Sequence, residues 1–430
     1  MDALRIKGGI PLSGRVAVSG SKNAALPMMA AAILSDGPVT LDGVPDLLDV
    51  QTLSSLLSRL GVAVRRDGAG SVHLENIDPA LIRADRRLVA RMRASFCVLG
   101  PLLARRRRAV VPLPGGCAIG ERPIDLHLHG LTALGADIRV RRGYVIARAR
   151  RLVGAKVNLL GPHGPTVTGT ANVMSAATLA RGVTTITGAA IEPEIVDLAN
   201  LLVSFGARIA GQGTSTIEIH GVDQLGGARY RIIPDRIEAA TLMCAAAITG
   251  GSVTLRNAPT EHMQAVLAVL ESMGCMLDIQ EREITLRAAD VTRPIRITAL
   301  PYPGIPTDVQ SQLTAVATLA AGCSRIEDRV FPDRFHHLRE LVRLGADIRR
   351  APGRASVRGV MQLTGATATA TDLRASAALV LAGLAADGET IVRRIRHLDR
   401  GYERLEEKLA SLGARIERMK ARNAAAVGVR

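Results

Sequence analysis

A repeat of about 70 residues constrains the fold of this chain more than any other feature of its sequence. An apolar residue, a glycine and a small residue recur six times, at Leu60-Gly61-Val62, Leu134-Gly135-Ala136, Phe205-Gly206-Ala207, Met273-Gly274-Cys275, Leu344-Gly345-Ala346 and Leu412-Gly413-Ala414. Such regular spacing is the signature of a protein built from copies of one supersecondary unit. Six units fill the 430 residues.

Every unit predicts the same order of elements: helix, strand, helix, strand, strand. Each opens with an alanine-rich apolar run that has no polar face, at residues 24–34, 94–104, 172–180, 239–248, 313–321 and 375–386. A helix that is hydrophobic all round is buried inside a domain. A short β-branched strand and an amphipathic helix follow, for example at 39–41 and 49–60. The glycine after the amphipathic helix is typical of a left-handed helix C-cap.

These units predict an α/β fold of two inside-out, barrel-like domains. Three units around a pseudo-threefold axis place the buried helices inside and the sheets outside, and six units give two such domains. We expect one three-repeat domain at residues 21–230, which carries the loop around Cys117, and a second at residues 231–420. Residues 421–430 extend past the last unit and are expected to be a disordered tail.

Composition and cysteine usage predict a soluble cytoplasmic protein. Hydrophobic residues make up 47% of the chain, which supplies a core and excludes disorder. No apolar run reaches the roughly 18 residues of a membrane span, and no signal peptide is visible. The cysteines, five in number, lack paired spacing, as expected in a reducing compartment. Four of them lie in or beside apolar runs and are expected to be core residues: Cys97, Cys244, Cys275 and Cys323.

The net charge of +16 comes almost entirely from arginine, which raises the question of nucleic-acid binding. The arginines are scattered, and the one dense run, Arg105–Arg108, has no aromatic neighbours for base stacking. We therefore expect no nucleic-acid partner. No metal-ligand spacing is present, and Gly211-Gln212-Gly213 opens no helix, so neither a metal nor a dinucleotide cofactor is expected.

Polar residues recur at one equivalent place in the units, directly before the buried helix. These residues are Lys22, Arg93, Thr170, Arg236, Asp308 and Arg374. Helix N-termini attract anions, and four of the six positions also carry a cation. Asp308 is the one acid among them, as expected of a general base beside bound anions.

A second candidate site is the Pro/Gly-rich stretch 112–123, which contains Cys117. Exposed loops of this kind often carry reactive groups, and Arg122 stands close enough in sequence to favour a thiolate or to bind an anion. The pattern therefore makes Cys117 a candidate reactive thiol, with a purely structural role as the alternative.

Seven motifs of this chain resemble those of the enolpyruvyl transferases. They are residues 20–27 (GSKNAALP), 92–95 (MRAS), 115–120 (GGCAIG), 122–127 (RPIDLH), 306–308 (PTD), 372–376 (DLRAS) and 399–403 (DRGYE). The resemblance covers residues 5 to about 419. Within the family, the motifs of this chain are most similar to those of the branch whose acceptor is UDP-N-acetylglucosamine. It implies two inside-out α/β domains, with residues 1–20 joining the second.

The resemblance implies transfer of the enolpyruvyl group of phosphoenolpyruvate to the 3′-hydroxyl of UDP-N-acetylglucosamine, with release of phosphate and without metal or organic cofactor. This is the first committed step of peptidoglycan synthesis, which links the chain to cell-wall biogenesis, cell shape and cell division, and to fosfomycin as an inhibitor. The alternative is a paralogue that acts on shikimate 3-phosphate or on another nucleotide hydroxyl. The cysteine loop argues against shikimate 3-phosphate. A non-catalytic homologue and an RNA-processing protein are weaker alternatives.

The resemblance also implies roles for individual residues. Cys117 would be the general acid and Asp308 the base on the sugar hydroxyl, assisted by Lys22 and Arg400. Phosphoenolpyruvate would be bound by Lys22, Asn23, Arg122, Arg374 and Arg400. The UDP-sugar would contact Arg93, Arg122, Pro123, Ile124, Asp125, Leu126, Thr166, Val167, Asp308 and Val330. Arg334 would help to close the cleft. The oligomeric state stays undetermined.

Overall fold

A computed structural model describes residues 2–68, 70–115 and 123–420. The chain divides into two compact units. The first unit contains the described residues from Gly20 to Ile233, and the second contains residues up to Ser19 together with those from Pro234 onward. Each unit has its own hydrophobic core.

The apolar runs form the buried helices that the sequence predicts. In the first unit they are Lys22–Ala31 with its 3-10 extension Ala32–Leu34, the 3-10 helix Arg93–Val98 followed by Leu99–Arg106, and Val167–Ala177. In the second unit they are Arg236–Ile248, Gln310–Ala317 and Leu373–Ala385. Nearly every residue in these helices is buried, because helices rich in alanine pack against one another on all sides.

Side-chain caps determine where several of these helices begin. Ser21, Asp235 and Asp372 each accept hydrogen bonds from backbone N–H groups of the first helical turn. Thr166 caps the third helix in the same way, so this helix begins at Val167. Thr170 therefore lies within the first turn, and the prediction that it stands at the helix N-terminus is wrong.

The remaining helices lie between the strands. The α-helices are Leu48–Arg59, Arg86–Val89, Asp125–Ala133, Pro193–Ser204, Gln264–Ser272, His337–Arg343 and Leu405–Ser411, and the 3-10 helices are Thr260–His262 and Ile395–Arg400. The six repeated glycines all have positive φ, between +76° at Gly61 and +102° at Gly206. Their predicted role as left-handed helix ends is confirmed.

Within the described residues, the first unit has three sheets and the hairpin Leu160–Gly161 with Gly164–Pro165. The strands, in spatial order, are Ala228–Arg231, Val39–Asp42, Val72–Asn76 and Val62–Arg66; Arg108–Pro112, Tyr144–Arg148 and Asp137–Arg141; and Arg208–Ala210, Thr216–His220, Val183–Thr187 and Lys156–Asn158. Each sheet comes with one buried helix, so the first unit is three copies of one motif. The predicted fold class is confirmed.

The second unit repeats this plan with three four-stranded sheets. Their strands, in spatial order, are Met276–Gln280, Glu283–Arg287, Ser252–Arg256 and Ser13–Ala17; Arg296–Ala299, Cys323–Asp328, Arg354–Arg358 and Asp347–Ala351; and Thr367–Thr369, Glu389–Arg393, Ala3–Lys7 and Arg415–Met419. The N-terminal strand Ala3–Lys7 lies between the last two strands of the chain, where Leu4 pairs with Val392 on one side and with Arg418 on the other.

The cysteine predictions hold for three residues and fail for one. Cys97, Cys244 and Cys275 are buried, whereas Cys323 is exposed. Cys323 is the first residue of a strand whose side chains alternate between the core and solvent, and it lies on the solvent face. The apolar run before it ends with the helix at Ala317, so its neighbours in sequence do not bury it.

Among the described residues, no helix is both long enough and apolar enough to cross a bilayer.

Candidate active site

In the second unit, Asp308 lies between two arginines. Arg334 Nη1 donates to Asp308 Oδ1 and Arg374 Nη2 donates to Asp308 Oδ2, each at 2.7 Å. The two arginine side chains are 8% and 2% exposed, and the aspartate side chain is 24% exposed. The two arginines therefore fix both carboxylate oxygens of Asp308.

Arg374 reaches this position because it is the second residue of the buried helix Leu373–Ala385. Burial opposes its charge, but Asp308, Tyr402 and Asp235 outweigh that effect, and the pKa of the guanidinium is raised. The guanidinium carbon also lies 5.3 Å from the centre of the Tyr402 ring, a cation–π contact. Arg374 is thus a permanent cation in the interior of the second unit.

A cluster of neutral side chains, Gln312, Thr241 and Tyr402, packs against Asp308 and bonds to its backbone. Gln312 Nε2 lies 3.0 Å from the backbone carbonyl of Asp308, 3.0 Å from Thr241 Oγ1 and 3.1 Å from the Tyr402 hydroxyl. The Thr241 and Tyr402 hydroxyls are 2.9 Å apart. Sequence reasoning assigned no role to Gln312 or Thr241; a polar residue inside an apolar helical run is the signal that could have found them.

Asp328 connects this cluster to the loop that contains Val330. Thr307 Oγ1 donates to Asp328 Oδ2 at 2.6 Å, and Arg334 Nη1 donates to Thr307 Oγ1 at 3.1 Å. The other oxygen of Asp328 accepts from the backbone N–H of Val330 at 3.0 Å. Burial raises the pKa of Asp328 although its hydrogen bonds act in the opposite direction. Asp328 therefore ties the backbone of Val330 to Thr307, the residue that precedes Asp308.

Two further predicted cations belong to the second unit. Arg400 ends the 3-10 helix Ile395–Arg400 and is half-buried. Arg236 begins its buried helix, and its guanidinium carbon lies 5.4 Å from the centre of the Tyr302 ring.

In the first unit, Lys22 and Asn23 are the first two residues of a buried helix. Lys22 Nζ lies 3.4 Å from Asp49 Oδ2, and both side chains are at most 10% exposed. Asp49 belongs to the amphipathic helix Leu48–Arg59 and was not singled out from the sequence. It supplies a counter-charge that makes a buried lysine possible.

Of the residues predicted to contact the UDP-sugar, Asp308 and Val330 lie in the second unit, and the described ones of the first unit come from three segments. Arg93 Nη2 donates to the carbonyl of Pro123 at 3.0 Å, which joins two of them. Ile124, Asp125 and Leu126 follow directly at the start of the helix Asp125–Ala133. Thr166 and Val167 are the cap and first residue of the third buried helix.

A buried histidine holds these three segments together. His127 Nδ1 accepts from Asn172 Nδ2 at 2.9 Å, and His127 Nε2 lies 3.1 Å from Thr168 Oγ1. Asn172 also donates to the carbonyl of Phe96 at 3.1 Å and accepts from the N–H of Gly100 at 2.7 Å. Burial, helped by the charge of Arg93, lowers the pKa of His127 to about 3. The sequence analysis did not select His127 or Asn172 for this role.

Two predicted site residues, Cys117 and Arg122, lie outside the described residues. Within the residues that the structure describes, no group of three or more His, Cys, Asp or Glu side chains is placed to hold a metal ion.

The family model for EPSP synthase (3-phosphoshikimate 1-carboxyvinyltransferase) matches residues 6–409. The chain therefore belongs to the EPSP synthase family of enolpyruvyl transferases.

Within that family, the chain is similar to proteins named UDP-N-acetylglucosamine 1-carboxyvinyltransferase. The one from Nitratidesulfovibrio vulgaris is 50% identical over 422 residues, which cover 97% of this chain and 100% of that one. The one from Desulfovibrio desulfuricans is 51% identical over 424 residues and covers 98% and 100%. The crystal structure of the enolpyruvyl transferase NikO from Streptomyces tendae has a TM-score of 0.88 at 27% identity, over 98% of this chain and 99% of that one.

Proposed function

We propose that this chain transfers the enolpyruvyl group of phosphoenolpyruvate to the 3′-hydroxyl of UDP-N-acetylglucosamine and releases phosphate, the first committed step of peptidoglycan synthesis. The observation that carries the proposal is identity of about half of all residues, over nearly the full length, to relatives named for this activity. The cluster of Asp308 with two arginines supports it.

The reaction requires two proton movements at the addition step. A proton is added to the methylene carbon of phosphoenolpyruvate, and the sugar hydroxyl loses its proton as its oxygen bonds to the neighbouring carbon. Cys117 is the proposed acid and Asp308 the proposed base. Because Arg334 and Arg374 engage both oxygens of Asp308, the carboxylate is oriented before the substrate arrives. Loss of phosphate and of a methyl proton then restores the carbon–carbon double bond.

The cations have a second proposed task, which is to bind and stabilise the anionic groups. Phosphoenolpyruvate carries a phosphate and a carboxylate, and arginine pairs with both in a bidentate manner. Lys22, Asn23, Arg122, Arg374 and Arg400 are proposed to hold it. The proposed UDP-sugar contacts are those predicted from the sequence, at Arg93, Arg122–Leu126, Thr166–Val167, Asp308 and Val330. Such preorganised charges lower the barrier for a transition state in which charge develops.

The proposed setting of the reaction is the cytoplasm, where it would supply precursors for cell-wall growth, cell shape and division. Fosfomycin is the proposed inhibitor, through alkylation of Cys117.

The test is phosphate release from phosphoenolpyruvate with UDP-N-acetylglucosamine, shikimate 3-phosphate or UMP as acceptor. We expect release with UDP-N-acetylglucosamine only, and we expect fosfomycin to block it. Peptide mapping should then place the fosfomycin adduct on Cys117 rather than on Cys97 or Cys323. No release with UDP-N-acetylglucosamine would contradict the proposal.

A second candidate is an enolpyruvyl transferase with another acceptor. The observation that favours it is the high structural similarity to NikO at 27% identity, since this shows that the fold persists among distant enolpyruvyl transferases. Phosphate release with shikimate 3-phosphate or UMP, and none with UDP-N-acetylglucosamine, would establish this candidate.

A further inference from the structure

The arginine run Arg105–Arg108 has no part in the proposed reaction, yet it borders a cavity of about 280 Å³ in the first unit. The cavity lies at the carboxyl end of the helix Leu99–Arg106. Arg105, Arg107 and Arg151 line it together with Asp223 and the apolar side chains Leu103, Ala104, Ala149, Leu152, Leu179 and Val222. Three guanidinium groups and one carboxylate therefore give the cavity a lining whose exposed surface is mostly polar.

Arg107 adopts a backbone conformation that three of the other five repeats give to a glycine. It has φ +58° and directly precedes the strand Arg108–Pro112. At the same place, directly before their strands, Gly182, Gly322 and Gly388 have φ +90°, +138° and +85°. A side chain in this region costs about 1 kcal/mol relative to glycine. Arg107 thus stands beside the cavity in a conformation that three other repeats assign to glycine, and this carries an energetic cost.

The neighbouring arginines have structural partners that Arg107 lacks. Arg106 donates to the backbone carbonyls of Leu60 and Leu81, and Arg105 pairs with Asp36. Arg151 lies 3.3 Å from Asp223, but these side chains are 59% and 96% exposed, so this pair is weakly held. Within the described part of the chain, the Arg107 side chain has neither a hydrogen bond nor an ion pair.

Stabilisation of the helix dipole does not require an arginine at position 107. Cations stabilise the carboxyl end of a helix through its dipole, and Arg105 and Arg106 occupy the last turn where this effect operates. Arg107 comes after that turn, at a position where glycine would remove the backbone strain. Its guanidinium is exposed, so it can contact a ligand in the cavity.

We propose that this cavity binds a small phosphorylated metabolite. Arginine forks match phosphate oxygens, and the lining carries three positive charges against one negative charge. Binding pockets for drug-sized ligands measure about 300–1,000 Å³, so a cavity near the lower limit fits a phosphate on a short polar skeleton such as a polyol. Arg93 begins the helical segment that ends at this cavity, roughly 20 Å away along the helix axis.

The test is hydrogen exchange of the full chain with and without glycerol 3-phosphate, since this readout separates the cavity from the phosphate site of the proposed reaction. We expect slower exchange in residues 99–107 and 149–152 with glycerol 3-phosphate, a weaker effect with inorganic phosphate, and none with glycerol. The same measurement with UMP tests whether the cavity binds a nucleotide instead. Slower exchange with UMP alone would overturn the assignment to a small metabolite.

Arg107→Gly is the decisive variant because glycine relieves the backbone strain and should keep or raise the melting temperature. In Arg107→Gly we expect the dissociation constant for glycerol 3-phosphate at this site to be at least tenfold larger than in wild type. Arg142→Gly is the matched control: Arg142 is an exposed arginine of the same unit with φ +51°, and it does not line the cavity. Unchanged protection in Arg107→Gly, an equal loss in Arg142→Gly, or no protection of wild type would each refute the proposal.

Discussion

The two units share one architecture but differ in the polar clusters that they bury among their helices. In the first unit the cluster is neutral: His127, whose pKa is lowered to about 3, is bonded to Asn172. In the second unit the neutral residues Gln312, Thr241 and Tyr402 stand beneath a charged layer of Asp308 and Arg374. The same repeated architecture thus buries a neutral polar cluster in one unit and a charged one in the other.

This difference suggests separate roles for the two clusters: the first positions segments of the backbone, and the second supplies groups for the reaction. A histidine that stays neutral at working pH can fix the segments of Arg93, Asp125 and Thr166 without exchanging protons itself. The Asp308 cluster instead brings a carboxylate to the surface with its counter-charges already in place. We therefore expect substitutions in the second cluster to affect turnover, and substitutions in the first to affect stability.

The largest expected effect is on turnover in Asp308→Ala. The variant should lose about 10³-fold in kcat, because a general base contributes about 10²–10⁴-fold. Affinity for the UDP-sugar, measured by titration calorimetry, should change by less than about threefold if the role is chemical. Asp278→Ala, at an exposed aspartate of the same unit, is the control and should keep full activity. Turnover retained in Asp308→Ala would remove Asp308 as base.

Asn172→Asp should destabilise the first unit by about 2–4 kcal/mol, since it replaces a donor with an acceptor opposite His127 Nδ1 and the Phe96 carbonyl. Urea denaturation followed by circular dichroism measures this. Asn158→Asp is the matched control, because its oxygen only accepts from the N–H of Leu160 and aspartate keeps that bond. Equal effects of the two substitutions would argue against a special role for Asn172.

Acid should weaken the first unit through His127. The unfolded histidine has a pKa of about 6.5, and the folded one about 3, so the unfolded state binds the extra proton as pH falls through this range. The free energy of unfolding should drop by about 1.5 kcal/mol per such group between pH 6.5 and pH 5.

His127→Gln should remove this part of the pH dependence, whereas His220→Gln, at an exposed histidine, should leave it. The difference between wild type and variant is the quantity to compare, since Asp197, whose pKa burial raises to about 6, changes stability in the opposite sense. An unaltered pH dependence in His127→Gln would contradict the neutral-cluster interpretation.

The smallest expected effect concerns Cys323 of the second unit. Cys323→Ser should change stability by less than about 0.5 kcal/mol because the thiol is exposed. Alkylation of the native protein should modify Cys323 and spare Cys97, Cys244 and Cys275. Burial of Cys97 raises the pKa of its thiol to about 12, which leaves no reactive thiolate. Modification of Cys244 at the rate of Cys323 would contradict this burial pattern.

The sequence predicted the repeat, the buried helices and the left-handed glycines because these follow from local patterns. Apolar runs without a polar face define the helices, and one glycine per unit marks a helix end. The predicted positions of Lys22, Arg93, Arg236 and Arg374 at or next to helix starts also agree with the structure.

What sequence reasoning missed depends on partners far apart in the chain. His127 and Asn172 are 45 residues apart, and Gln312 and Tyr402 are 90 residues apart. No local pattern predicts such pairs. Cys323 was misassigned for a related reason: the strand register, rather than the apolar character of the preceding helix, decides which way its side chain faces.

The central place of Ala3–Lys7 in the last sheet has a consequence for synthesis on the ribosome. This strand is synthesised before the rest of both units, but its two neighbours, Glu389–Arg393 and Arg415–Met419, are synthesised after most of them. Almost all of the unit between Gly20 and Ile233 is one stretch of sequence, so it can fold while translation continues. The other unit must keep the strand Ala3–Lys7 unpaired until these two neighbours have been synthesised. A stop codon before residue 389 would therefore release a folded first unit that still carries the unpaired strand Ala3–Lys7 of the second unit. Such an unpaired strand is a substrate for chaperones and proteases.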